Sequence, residues 1–316
     1  MPHSLGALHS RVVEFRYLHR AIFNRLSMQQ VTVRVPASTS NLGPGFDCLG
    51  VALRIYNDVT VTRGGKFRRP LITREAARLF FAHARRAPFS FSVSIKGSVP
   101  ASRGLGGSAT IRLGILHALN LLSGNPLDRL PIFHLCAQLE GHPDNAAPAS
   151  FGGFTVVRAQ NVQRFEVSPR LYFVLLIPDL EIKTSTARNI LPSRIARADA
   201  IDSCANACAI TAAFAACNYS GLRGTFADQF HQPFRQKLIP FLPRAIAAAE
   251  EAGALGAFLS GSGSTIAAVT LKNPQKIAEA MRRKIDNHSA GTIIVSADNR
   301  GARFLKIRNS SDVPLA

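Results

Sequence analysis

The most constraining stretch of this chain is Pro100-Ala101-Ser102-Arg103-Gly104-Leu105-Gly106-Gly107-Ser108-Ala109-Thr110. It sits between a strand-like alternation, Phe91–Ile95, and an apolar run, Ala109–Leu122, that reads as a helix. Glycine lets the backbone take left-handed angles and approach a ligand closely. A helix opening there turns unpaired N–H groups and a positive dipole end toward the same point. The segment therefore reads as a phosphate cradle, with a tight structural turn as the plain alternative. It is not a Walker loop: no G-x-x-x-x-G-K-[ST] occurs, and Gly65-Lys66 is followed by Phe67. Ser108 stands where a hydroxyl could reach a Mg²⁺ carried on phosphates.

Around this turn the periodicity predicts mixed strands and helices without strict alternation, an α+β arrangement. Strands are expected at Val31–Val35, Val51–Val61, Phe89–Ile95, Gly152–Val157, Leu171–Ile177, Thr265–Val269 and Gly291–Ala297. Helices are expected at Leu71–Ala84, Ala109–Leu122, Pro131–Leu139, Ala198–Tyr219, Leu242–Ala252 and Pro274–Ile285. The first strand should end at Pro36, leaving Ala37–Asp47 as irregular loop. The alanine-rich Ala205–Cys217 reads as a core helix. At 316 residues the chain fits two domains, divided near 165–180 into 29–170 and 171–316. Residues 1–28 are expected to be a poorly ordered extension, without the apolar core of a signal peptide. Met28 stands directly before the first strand.

Charge limits the partners. Lys plus Arg total 38 against 19 Asp plus Glu, a net charge of +19. Anionic partners follow, from nucleic acid to phosphorylated small molecules. Arg63–Arg86 holds eight basic residues and one acid, yet no Lys/Arg run exceeds three residues. Basic and aromatic residues do not interleave as a stacking surface would require, so a solvated basic face is the simpler reading. No 18-residue apolar stretch occurs, which argues against a membrane span. Five cysteines without C-x₂-C spacing favour reduced thiols over disulfides or zinc, and a cytoplasmic protein.

Three more segments carry polar chemistry. Glu140-Gly141-His142-Pro143-Asp144-Asn145 ends a helix, where Glu140 could hold Mg²⁺ and Asp144 and Asn145 could address a hydroxyl. Each of these, taken alone, also fits a cap or a satisfied structural histidine. Ser38–Asp47 presents Asn41 and Asp47 on a Gly-Pro-Gly loop suited to an ammonium or hydroxyl. Leu259-Ser260-Gly261-Ser262-Gly263-Ser264 reads as a flexible turn or as a second backbone wall of the same site. There is no G-x-S-x-G elbow for a hydrolase triad.

In order, these segments resemble the homoserine kinases of the GHMP small-molecule kinase superfamily. Val31–Gly50 is distinctive for them, followed by Val99–Thr110, Glu140–Gly153 and Pro178–Pro192. Asp228-Gln229-Phe230-His231-Gln232-Pro233-Phe234-Arg235 and Gly253–Thr265 complete the set, and the resemblance spans residues 29–300. It implies a two-domain α+β fold. The N-terminal part would be of the ribosomal protein S5 domain 2 type and the C-terminal part a ferredoxin-like plait.

The implied reaction moves the ATP γ-phosphate to the side-chain hydroxyl of L-homoserine, a step of threonine biosynthesis. Pro100–Thr110 would bind ATP, and Ser108 and Glu140 would hold Mg²⁺. Asn41, Asp47, Asn145, Arg188, Arg235 and Gly261 would hold homoserine. Asn145 would orient its hydroxyl, and Asp144 is a further catalytic candidate. A homodimer is also implied.

Two departures stand out. Gly107 replaces the usual serine, and Ala205–Ala209 lacks a familiar arginine. The alternatives are a GHMP kinase with another acceptor, a basic nucleic-acid-binding protein, or an inactive binding module. Retained Ser108, Glu140 and Asn145 argue against the last two.

Overall fold

The computed structural model describes residues 28–65, 70–285 and 289–309. The expected N-terminal extension, apart from Met28, lies outside them. The first half supplies five strands of a six-stranded antiparallel sheet and four helices. Its elements are β1 (Met28–Ser40), β2 (Leu49–Arg63), α1 (Leu71–Ala84), β3 (Phe91–Gly97), α2 (Gly107–Leu122), α3 (Arg129–Glu140), α4 (Ala146–Phe151), β4 (Phe154–Arg158) and β5 (Asn161–Phe165). Strand alternation explains why β1 forms: Val31, Val33 and Val35 point into the core while Thr32 and Arg34 face outward. α1 to α4 cover that core face, with Phe80, Phe91, Leu113, Leu116 and Phe133 buried beneath them.

The second half adds β6 (Tyr172–Pro178), α5 (Thr184–Asn189), α6 (Arg197–Ala215), α7 (Gln232–Arg235), α8 (Leu242–Glu251), β7 (Gly256–Leu259), β8 (Ile266–Thr270), α9 (Pro274–Arg282), β9 (Ala290–Ser296) and β10 (Arg303–Asn309). β6 to β9 form an antiparallel sheet ordered β7-β8-β6-β9. With α8 and α9 packed on one face, this is the βαββαβ order of a ferredoxin-like plait. β10 does not belong to it. Although the sequence division groups it with 171–316, it returns to pair with β1 at the edge of the first sheet.

Several local expectations are corrected. β1 does not stop at Pro36. A register shift at Pro36/Ala37 absorbs the missing donor, and pairing resumes from Ala37↔Leu53 to Ser40↔Gly50. α6 is less of a core helix than its alanines suggest, burying Ser203, Ile210, Ala213 and Phe214 while Cys204 and Cys208 face solvent. The elements β5, β7, β10, α4, α5 and α7 are not among those expected: their four to seven residues lack the apolar alternation or run that marks the equally short β4, β6 and β8.

The two halves share a core. Leu42, Leu49, Val51 and Phe154 from the first pack with Phe173, Leu175, Phe214 and Phe258 from the second. Phe154 and Phe214 stack at 4.2 Å between ring centroids. This seam fixes the loops of the two sheets against each other.

Candidate active site

The end of β1, the glycine turn and the turn at 260–264 meet at the seam, joined by buried hydrogen bonds. Ser38 N–H donates to the Leu105 carbonyl (3.2 Å) and Gly261 N–H to the Ser40 carbonyl (3.1 Å). Thr39 Oγ1 donates to Ser260 Oγ (2.8 Å), which donates to the Gly104 carbonyl (2.7 Å). Such buried groups lose water on folding, so their partners hold the loops in one arrangement. The result is a cavity of about 310 Å³ lined from both halves of the chain.

The glycine turn forms one wall. Gly104 and Gly106 have φ of +74° and +67°, and a Cβ there would strike the Ser260 carbonyl and Ser38 Oγ. No larger residue fits both the angles and the contacts. Gly106 caps α2, so the free N–H groups of that helix open onto the cavity. Asn57, Ile72, Val99 and Ile111 continue the wall with largely apolar surface. Arg103 anchors the turn to the second half through Asp179 (2.8 Å) and the Pro178 carbonyl (3.1 Å).

Ser108 Oγ donates to Glu140 Oε2 at 2.7 Å, and Arg112 holds Glu140 Oε1 at 2.6 Å. Both Ser108 and Glu140 line the cavity. Their oxygens fit Mg²⁺: neighbouring ligands on an octahedron at roughly 2.0–2.1 Å stand about 2.9 Å apart.

The opposite wall carries paired charges. Asp47 and Arg188 form a bidentate pair at 2.6 and 3.0 Å. His142 Nδ1 meets Asp144 Oδ1 at 2.5 Å, and Asn145 N–H donates to the same oxygen at 3.0 Å. Burial alone would lower the His142 pKa, but the hydrogen bond and charge of Asp144 outweigh it and raise it. Burial alone would raise that of Asp144, and bonding to His142 outweighs it and lowers it. Both shifts favour the ion-paired form, imidazolium with carboxylate. The ligand atoms of Asp47, His142 and Asp144 lie within 4.8 Å of one another.

Asn145 is fixed on both sides. Ser38 Oγ donates to its Oδ1 (2.9 Å), and its Nδ2 donates to Ser40 Oγ (3.1 Å). Asn41, at φ +71°, donates from Nδ2 to the Gly261 carbonyl (3.1 Å) and accepts from Asp47 N–H (3.1 Å). Arg235 is only 2% exposed, yet it borders the cavity. It donates to the carbonyls of Ala187 (3.1 Å) and Gly261 (2.8 Å). Burial, then the neighbouring Arg188, lower its pKa to about 10, so it stays charged at neutral pH. Phe46 lies under both arginines, 5.4 Å from Arg188 and 5.3 Å from Arg235.

The chain has counterparts among known proteins. Residues 71–153 match the GHMP kinases N terminal domain and residues 213–287 the GHMP kinases C terminal. The homoserine kinase of Caldicellulosiruptor bescii is 35% identical over 303 residues, covering 89% of this chain and 99% of that protein. That of Microchaete diplosiphon is 37% identical, covering 88% and 98%.

The chain belongs to the homoserine kinase family of the GHMP kinases.

The crystal structure of homoserine kinase from Cytophaga hutchinsonii superposes with a TM-score of 0.80 at 27% identity, over 88% of this chain and 98% of that one. Within this homoserine kinase fold, Asn41, Asp47, Glu140, Asp144, Asn145, Arg188, Arg235 and Gly261 all line one cavity with Ala101–Gly104 and Gly106–Ser108. Pro100, Leu105, Ala109 and Thr110 are not at its surface. Leu105 and Ala109 are buried apolar, and Thr110 ties Asn57 Nδ2 (2.8 Å) to the Gly107 carbonyl (2.7 Å).

The sequence reading includes Ser38, Ser40, Phe46 and Ser260 in its site segments without a role for any of them, omits Arg112, and gives His142 no part in the site. His231 falls within the segment Asp228–Arg235 with no role of its own in the sequence reading. Its spacing, one helical turn before Arg235, is the one signal that could have singled it out.

Proposed function

We propose that the chain transfers the γ-phosphate of ATP to the side-chain hydroxyl of L-homoserine, giving O-phospho-L-homoserine and ADP. The observation that carries this reading is the wall opposite the glycine turn. Asp47, Arg188 and Arg235 offer one carboxylate and two guanidiniums around Phe46, a charge pattern complementary to a zwitterionic amino acid. In the absence of that acid, Asp47 and Arg188 pair with each other. Their side chains are only 33% and 34% exposed and the pairing is bidentate, so opening it carries a cost that the two charged ends of the acceptor offset by taking over both partners. The ammonium of the acceptor then meets Asp47 while its carboxylate meets Arg188 and Arg235.

The amides at the start of α2 receive the phosphates of ATP, and Ile72, Val99 and Ile111 offer apolar surface to the base. Ser108 and Glu140 would hold Mg²⁺, which would supply charge neutralisation to the phosphates. Asn145, locked between Ser38 and Ser40, orients the acceptor hydroxyl at no ordering cost. Asp144 is a poor proton acceptor while it carries the His142 imidazolium. We therefore assign it to electrostatic anchoring, with rate coming from positioning and charge stabilisation.

Mg²⁺-ATP turnover across an acceptor panel tests the reading: L-homoserine, mevalonate, galactose, shikimate and none. ADP release that depends on L-homoserine supports it. Turnover on another acceptor would overturn the reading of Asn41, Asp47 and the arginines while keeping the glycine turn.

A further inference from the structure

His231 is wholly buried beside the acceptor wall and takes no part in the transfer just described. Its two ring nitrogens face two different segments of that wall. Nε2 lies 2.9 Å from the Gly43 carbonyl and 3.3 Å from Asp228 Oδ2, both acceptors, so Nε2 carries the proton. Nδ1 lies 3.3 Å from Arg235 Nη1, which can only donate, so Nδ1 carries a lone pair. The partners on the two sides therefore select one neutral tautomer. Burial, the largest cause, lowers the His231 pKa to about 4, with Arg235 adding to the shift against the opposing charge of Asp228, which agrees with an uncharged ring at neutral pH.

Both bridged segments reach the acceptor. Gly43 belongs to the run Asn41-Leu42-Gly43, all at positive φ, that leads to Asp47. Arg235 faces the cavity on the same side, and the His231 ring packs against Phe46 at 5.4 Å between centroids. The histidine is itself held. Its backbone N–H, and that of Gln232, donate to Asp228 Oδ2 at 3.1 and 2.8 Å. A rigid ring thus spans from the loop that carries the carboxylate to the helix that carries the guanidinium.

We propose that His231 is a positioning residue of the acceptor site: through opposite ends of one imidazole it fixes the distance between the Asp47 loop and Arg235, and so the spacing at which ammonium and carboxylate are read. The inference rests on the amino-acid acceptor reading above. No other side chain replaces both contacts. Asparagine places an acceptor near Nδ1 but falls short of Gly43, glutamine reaches Gly43 with an N–H but leaves Arg235 unmet, and leucine removes both.

The test uses the full chain and the variants His231→Asn, His231→Gln and His231→Leu. In folded His231→Leu, the KM for L-homoserine should rise about tenfold or more, the scale of one hydrogen bond to a charged group. The KM for ATP should stay within about twofold, because neither contact touches the glycine turn. Asn and Gln should fall between wild type and Leu, each recovering part of the loss. A merely structural role would instead lower thermal stability with both KM values unmoved, and folded variants behaving so would overturn the proposal. Histidine ¹⁵N NMR, with the His231 signal assigned by its loss in His231→Gln, reads the tautomer without substrate. A neutral Nε2–H ring at pH 7 is expected, and an Nδ1–H or protonated ring would overturn the lock. Should wild type turn over an acceptor other than homoserine, the function reading falls, while the NMR result still decides the lock.

Discussion

At the scale of single residues, the cavity separates positions where the backbone permits one amino acid from positions where it permits several. Gly104 takes φ +74° and its missing Cβ makes room for the Ser260 carbonyl. Gly104→Ala is expected to cost about 1–3 kcal/mol and to lower ATP turnover, measured by denaturation and ADP release. Gly107 is different. A Cβ there meets nothing nearer than the Pro100 carbonyl at 3.5 Å, and its φ is not positive. Gly107→Ser should keep activity and raise stability by about 0.5 kcal/mol through helix propensity. A Tm below wild type would contradict this. On the acceptor side, Arg235→Leu and Asn145→Ala should each raise the KM for L-homoserine more than tenfold and leave ATP binding nearly unchanged; equal loss of both would reassign them.

The ion pair of His142 and Asp144 makes a pH prediction with a definite sign. The His142 pKa is raised above its ordinary 6.5, so its contribution is fully present below that value and is lost as pH rises through the raised one. The Asp144 pKa is lowered below 3.8, so its contribution is present above that value and is lost as pH falls through the lowered one. Wild-type Tm should therefore fall more steeply than that of His142→Gln as pH rises above 6.5. Parallel curves would show that the pair adds nothing.

At the scale of elements, those with a clear apolar pattern were legible and those without one were not. Leu71–Ala84 agrees with the sequence reading to the residue because Ala76, Ala77, Phe80 and Phe81 recur at helical spacing. Arg303–Asn309 left no such mark, because Phe304, Leu305 and Ile307 are half exposed on an edge strand and its pairing is set by β1. α6 misled for the reverse reason. Alanine favours a helix whether or not it is buried, so composition gave the helix and not its burial. Its exposed thiols make a prediction. Alkylation should modify Cys204, Cys208 and Cys217 without loss of turnover, since none lines the cavity. Cys48 should resist, because burial, then Asp144 and Asp47, push its pKa up to about 11.

At the scale of the whole molecule, the shared core couples the two sheets. Phe154 of the first half stacks on Phe214 of the second, and Leu42, Leu49 and Phe258 pack in the same cluster. Such a seam is expected to unfold as one unit. Calorimetry should show a single transition, and Phe154→Ala should lower stability by about 3–5 kcal/mol without splitting it. Two resolved transitions would mean that the seam is weaker than its packing implies. Among the described residues no helix is long and apolar enough to cross a membrane.

The sequence by itself determined the strand–turn–helix around Gly104–Ser108, the mixed α+β class and the identity of the charged groups. Those follow from local backbone freedom, side-chain period and chemistry, which act within a few residues. Only the tertiary structure decided what those charges do. Asp47 lies 141 positions from Arg188, and Ser38 lies 107 from Asn145, so each pairing exists because the shared core brings distant loops together. The same holds for His231, which reads as an ordinary buried histidine until Gly43, 188 residues away, and Arg235 are placed on opposite sides of its ring.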